Sequence, residues 1–121
     1  MGPLHRIFKA LADPNRLRIL NVLLNDRHCV CELEAILELP QSLISRHLAY
    51  LRSAGLVEDR RQGMRVQYGV SLQGTVGTAL RAFLQGALHE EVYEADNNRR
   101  LTNDLPTQPV DANAVVSSMK G

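Results

Sequence analysis

Apolar positions recur along the first half of the chain at helical spacing, in short blocks separated by polar turns. Leu4, Ile7, Phe8 and Leu11 fall on one side of a helix, so residues 3–12 read as a short amphipathic helix. Asp13-Pro14 follows, an N-cap residue ahead of a proline at the first helical position. Leu17, Ile19, Leu20, Val22, Leu23 and Leu24 make residues 14–24 a largely buried second helix. Asn25-Asp26-Arg27-His28 is a polar turn. Val30, Leu33, Ile36 and Leu37 point inward from a third helix over residues 29–38, and Pro40 marks its boundary with a fourth. In that fourth helix, residues 41–54, Ile44, Leu48 and Leu51 recur at i, i+4 and i+7; Ser42 is placed to cap its start and Gly55 to stop it.

The period then changes. Residues 57–61 and 65–70 are short extended runs around Gln62-Gly63-Met64, the pattern of a hairpin. Helical spacing returns over residues 73–97, where Val76, Leu80, Phe83, Leu84, Ala87, Leu88 and Val92 form a wide apolar stripe. Residues 102–121 are rich in Asn, Pro, Ser and Thr and predict a disordered tail. The expected fold is mainly α with a small β-hairpin, in the order α-α-α-α-β-β-α, a winged helix-turn-helix. One domain spans residues 1–98, and a tail spans 99–121. The first and last helices each carry an apolar face with little left in the chain to cover it. They predict a homodimer, whose two-fold axis suits a palindromic DNA site.

The face of the fourth helix opposite its apolar stripe carries Gln41, Ser42, Ser45, Arg46 and His47. These groups read base edges and phosphates: Gln pairs with adenine and Arg with guanine. For His47 a structural bond across the turn is the alternative. Net charge over the 121 residues is only +1, but residues 41–70 hold five arginines against two acids. Arg60, Arg61 and Arg65 decorate the hairpin and predict contacts with the sugar-phosphate backbone or minor groove of double-stranded DNA.

Composition excludes other classes. The chain is 45% hydrophobic and 22% charged, with no Trp, so the core is built from Leu, Ile, Val and Ala. No apolar run approaches the ~20 residues that span a bilayer, and the first residues show no signal-peptide pattern, which predicts no membrane partner and a cytoplasmic protein. No phosphate-binding loop, nucleophilic triad or zinc-hydrolase spacing points to an enzyme, and no permanent cofactor is expected.

The remaining chemistry lies in Cys29 and Cys31. A helix N-terminus and the nearby Arg27 favour their thiolates, which select soft metals and metalloids. On a regular helix, positions i and i+2 diverge, so clamping both sulphurs onto one atom is expected to distort the first turn. As buried cysteines they have a second reading, as small hydrophobes.

Ala10-Leu11-Ala12-Asp13-Pro14-Asn15-Arg16-Leu17-Arg18-Ile19-Leu20, Cys29-Val30-Cys31-Glu32-Leu33 and Gln41-Ser42-Leu43-Ile44-Ser45-Arg46-His47-Leu48 together resemble the ArsR/SmtB family of bacterial metal-responsive repressors. The resemblance covers residues 4–92. It implies a homodimeric repressor that leaves operator DNA when As(III) or Sb(III) binds Cys29 and Cys31. Cd(II), Pb(II) and Zn(II) are the alternative inducers, and a redox or sulfide signal at the same thiols is a further one. The chain departs from the family's patterns. Glu34 stands where arsenic-type members often carry a third cysteine, and the acidic and histidine spacing of zinc-type members is absent from the last helix. A water or hydroxide, His28 and Glu34 are the candidate third ligands.

Overall fold

The computed structural model describes residues 4–104, in the order α1 (Leu4–Leu11), α2 (Pro14–Leu23), α3 (Val30–Leu37), α4 (Gln41–Ser53), β1 (Val57–Gln62), β2 (Arg65–Val70), α5 (Gly74–Ala87) and α6 (Glu91–Asp104). The core is aliphatic. Ile19, Leu20, Val22 and Leu23 of α2 meet Leu33, Ile36 and Leu37 of α3 and Ile44, Leu48 and Leu51 of α4, with Leu56 and Val57 closing the floor beneath the hairpin. Among the described residues no helix is long and apolar enough to cross a membrane.

Local chemistry sets the element ends. Asp13 caps α2, its carboxylate accepting from the backbone N–H of Asn15 (2.8 Å) and Arg16 (3.1 Å) ahead of Pro14. Gly55, at φ 81°, ends α4: its N–H reaches the carbonyl of Arg52, and the N–H of Leu56 reaches that of Leu51. This is the paired 5→2 and 6→1 bonding that needs a left-handed residue, and glycine adopts it without steric cost. Between α3 and α4 Glu38 takes a left-handed conformation (φ 57°), and Pro40 rather than Ser42 occupies the cap of α4. The expected Ser42 cap is therefore corrected. Ser42 lies inside the helix on an exposed face, leaving its hydroxyl available to a ligand.

The hairpin is antiparallel, with Val57 opposite Val70 and Gln62 opposite Arg65. Gly63 opens the two-residue loop at φ 63°. The segment before α3 joins this sheet through one antiparallel bridge, His28 opposite Tyr68.

The long helix expected over residues 73–97 is two helices. α5 stops at Ala87, Leu88 caps it outside helical geometry, and α6 turns back to pack on α2 and α3. The partners of α6 explain the reversal. Asp96 is 0% exposed and accepts from Arg18 Nε at 2.8 Å, Arg18 Nη2 at 3.0 Å and Arg99 Nη2 at 2.6 Å. The buried Asn21 side chain donates to the carbonyl of Tyr93. A straight continuation of α5 would leave Arg18 and Asn21 of α2 without these partners, and unpaired polar groups in a core are costly. α6 also runs to Asp104, past the domain boundary expected at 98; the rest of the expected tail lies outside the described residues.

Candidate nucleic-acid interface and dithiol site

α4 presents Gln41, Ser42, Ser45 and Arg46 to solvent on one face. Their side chains make no hydrogen bond or ion pair with any described residue. The helix beneath them is fixed from behind by α2. Arg16 donates through Nε to the carbonyl of Ala10 (2.7 Å), stacks over the Tyr50 ring at 4.1 Å, and lies 3.4 Å from His47 Nδ1. One guanidinium thus ties the end of α1 to the middle of α4. His47 is half-buried in this packing, with Nε2 3.9 Å from Asp13. The structure places it against α2, not on the exposed face with the other four residues. Burial, with the charges of Arg16 and Arg46, holds the His47 pKa below its usual value despite Asp13.

The three hairpin arginines divide. Arg61 is exposed, with no ion-pair partner among the described residues. Arg60 is exposed and lies 3.3 Å from Glu58. Arg65 reaches back from the wing to the cysteines: its Nη2 is 2.8 Å from Cys29 Sγ, 3.9 Å from Cys31 Sγ and 3.4 Å from Glu32 Oε2. Nothing in local sequence signals this contact, because Arg65 and Cys29 are 36 residues apart.

The cysteines do not diverge. Cys29 is the extended N-cap of α3 (φ −81°, ψ 167°) and only Cys31 is helical, so both side chains fold to one side and their sulphurs lie 2.6 Å apart. The expectation that one ligand atom must distort the first turn fails because Cys29 stands outside the helix. A capping box reinforces the arrangement: Glu32 Oε1 accepts from the Cys29 backbone N–H at 3.3 Å and from His28 Nδ1 at 3.0 Å.

The two thiols are unequal. Burial pushes the Cys29 pKa up, but hydrogen bonds from Cys31, Arg65 and the Glu32 backbone outweigh it and hold the thiol below its usual value. The hydrogen bond to Cys29, burial and the neighbouring thiolate push Cys31 above its usual value. Of the two, buried Cys29 therefore ionises more readily than exposed Cys31.

The sulphur pair fits a thiophilic ion as two ligands of an incomplete shell. A tetrahedral ion with metal–sulphur bonds of ~2.3 Å needs sulphurs ~3.7 Å apart, an opening of about 1 Å from the present contact. A third protein ligand does not converge: among the described residues no group of three or more His, Cys, Asp or Glu side chains is disposed to hold a metal ion. Glu34 is exposed, and His28 is turned to Glu32.

Residues 13–59 match the family described as bacterial regulatory protein, arsR family. Over 100 residues the chain is 41% identical to the arsenic resistance transcriptional regulator ArsR2 of Pseudomonas putida, covering 80% of this chain and 84% of that one. It is 51% identical over 63 residues to ArsR1 of the same species, an alignment covering 51% of this chain and about half, 49%, of that relative. A homodimeric winged helix-turn-helix DNA-binding domain from Mycobacterium bovis matches with a TM-score of 0.61 at 27% identity, covering 89% of this chain and 86% of that one.

Proposed function

From the premise that the chain belongs to the ArsR family of bacterial regulatory proteins, which are DNA-binding regulators and not enzymes, we propose that it is a transcriptional repressor switched by As(III) or Sb(III) at Cys29 and Cys31. The observation that carries the reading is the sulphur pair, 2.6 Å apart at the start of the helix-turn-helix. In this reading Gln41, Ser42, Ser45 and Arg46 enter the major groove of operator DNA. His47 and Arg16 hold the helix behind them, and Arg60 and Arg61 track phosphates. The exposed apolar residues of α1 and α5 join two copies on a two-fold axis, matching two half-sites. Two sulphurs and a hydroxide complete a three-coordinate As(III).

A second reading, a thiol redox switch, is favoured by the same sulphur contact and by the lowered pKa of Cys29. One experiment separates them. DNA from upstream of the gene is titrated with the protein, then with arsenite, antimonite, Cd(II), Pb(II), Zn(II) or peroxide. The expected result is release by arsenite and antimonite from wild type, with Cys29→Ser and Cys31→Ser still bound. Release of the double serine variant by arsenite would place the sensor elsewhere. Release by peroxide alone would replace the metalloid reading with the redox one.

A further inference from the structure

We propose that Arg65 is a positioning residue that clamps the wing to the dithiol, so that occupation of the Cys29 and Cys31 sulphurs acts on DNA binding by freeing the hairpin tip. The inference rests on the repressor reading and specifies how its two ends are joined. Three consecutive residues ahead of α3 each bond the hairpin. Arg27 pairs with Glu58 of β1 and packs so closely over Gly69 that a Cβ there would stand 2.9 Å from its guanidinium carbon. His28 exchanges both backbone bonds with Tyr68, at 3.0 and 2.8 Å. Cys29 receives Arg65 Nη2 at 2.8 Å.

The first two attachments lie toward the base of the hairpin and involve no sulphur. The third lies at the tip, one position after the Gly63-Met64 loop, and its acceptor is the sulphur of the sensing pair. Glu32, 3.4 Å from the same nitrogen, is a longer contact on a guanidinium that is otherwise exposed. The wing tip is thus held by a charge-assisted bond to the group that an inducer consumes.

The chemistry gives the direction. Arsenite, as As(OH)₃, exchanges two As–O bonds for two As–S bonds. The two displaced hydroxides leave as two waters, each taking a proton from a thiol or, where the sulphur is already ionised, from solvent. The Cys29 electron pair that faced Arg65 at 2.8 Å then lies in the As–S bond. Arg65 then keeps only the longer Glu32 contact at 3.4 Å, while the base of the hairpin stays attached. A ligand shifts a two-state element only by binding the two states differently, and here the difference is the Arg65–sulphur bond. Arg65 therefore supports DNA binding by ordering the wing that carries Arg60 and Arg61.

Met64 sits at the tip and is 95% exposed, so its methyl group reports the wing without DNA. In methyl-labelled full-length protein, assigned with Met64→Leu, arsenite is expected to narrow and shift the Met64 signal. Arg65→Ala should produce the same state without arsenite, and arsenite should then add nothing. On upstream DNA, Arg65→Ala should weaken binding and reduce the arsenite-induced fold-loss of affinity at least fivefold, with arsenite still bound by the thiols. A Met64 signal unmoved by both arsenite and Arg65→Ala overturns the clamp. So does an arsenite effect on DNA undiminished in Arg65→Ala, the behaviour of a plain phosphate contact. A Met64 response to arsenite with no change in DNA affinity overturns the link from wing tip to DNA, and a wild type that never binds the DNA overturns the repressor reading instead.

Discussion

At the scale of single residues, the two cysteines acquire from position an asymmetry that their identical side chains lack. Cys29 is 6% exposed, yet it is the better thiolate, because three donors converge on it while Cys31 serves as one of them. A lowered acid pKa means that the charged form appears at lower pH. Titration of thiolate absorbance at 240 nm should therefore show two separated steps, the first below the range of a free cysteine and the second above it. Arg65 lowers both thiols, so Arg65→Ala should move both steps upward. A single step at the ordinary thiol position would show that the sulphurs do not share a proton in solution. The CxC spacing was readable from sequence, whereas the direction of the side chains was not. That direction depends on Cys29 adopting extended backbone as a cap, a half-in position that helical periodicity cannot distinguish from the first turn.

At the scale of elements, sequence reading succeeded where the determinants are local. The Asp13-Pro14 start of α2, the Gly55 stop of α4 and the glycine-led hairpin loop each follow from a residue whose conformational preference is satisfied within a few positions. It failed at the α5–α6 break. Leu84, Leu88 and Val92 keep helical spacing through Leu88-His89-Glu90, and no proline interrupts them. The break is imposed from α2, where Arg18 and Asn21 find Asp96 and Tyr93 more than 70 positions later. For His47 the structure shows the alternative bond across elements, with Asp13 and Arg16 reaching it from the start of α2. The reversal makes a measurable claim. Asp96→Ala leaves Arg18, whose side chain is only 16% exposed, with a single carbonyl partner at Leu37. Breaking one side of a buried pair costs ~3 kcal/mol or more. Urea unfolding followed by circular dichroism should show that loss, and a change below about 1 kcal/mol would mean that other packing holds α6 in place.

At the scale of the whole molecule, the most exposed aromatic side chains among the described residues sit on α1 and α5. Phe8 of α1 is 60% exposed and Phe83 of α5 is 62% exposed, and both line one open groove with Leu11, Leu17 and Ala87. Burying a side chain of this size yields ~1.5–3 kcal/mol, and a two-fold interface counts each residue twice. Phe83→Glu exchanges that gain for a charge in each copy, held near its twin across the axis. Because Phe83 is already exposed within one chain, the fold should persist, and circular dichroism and the unfolding midpoint should change little. Sedimentation at micromolar concentration should then show a dimer for the wild type and a monomer for the variant. Affinity for DNA carrying two half-sites should fall at least tenfold, since the second half-site is no longer engaged at high effective concentration. Affinity for a single half-site should be retained, because Gln41, Ser42, Ser45 and Arg46 lie on α4, away from the substituted face. A Phe83→Glu protein that stays dimeric with unchanged affinity would move the interface to another surface, and the two-fold reading of the operator would go with it.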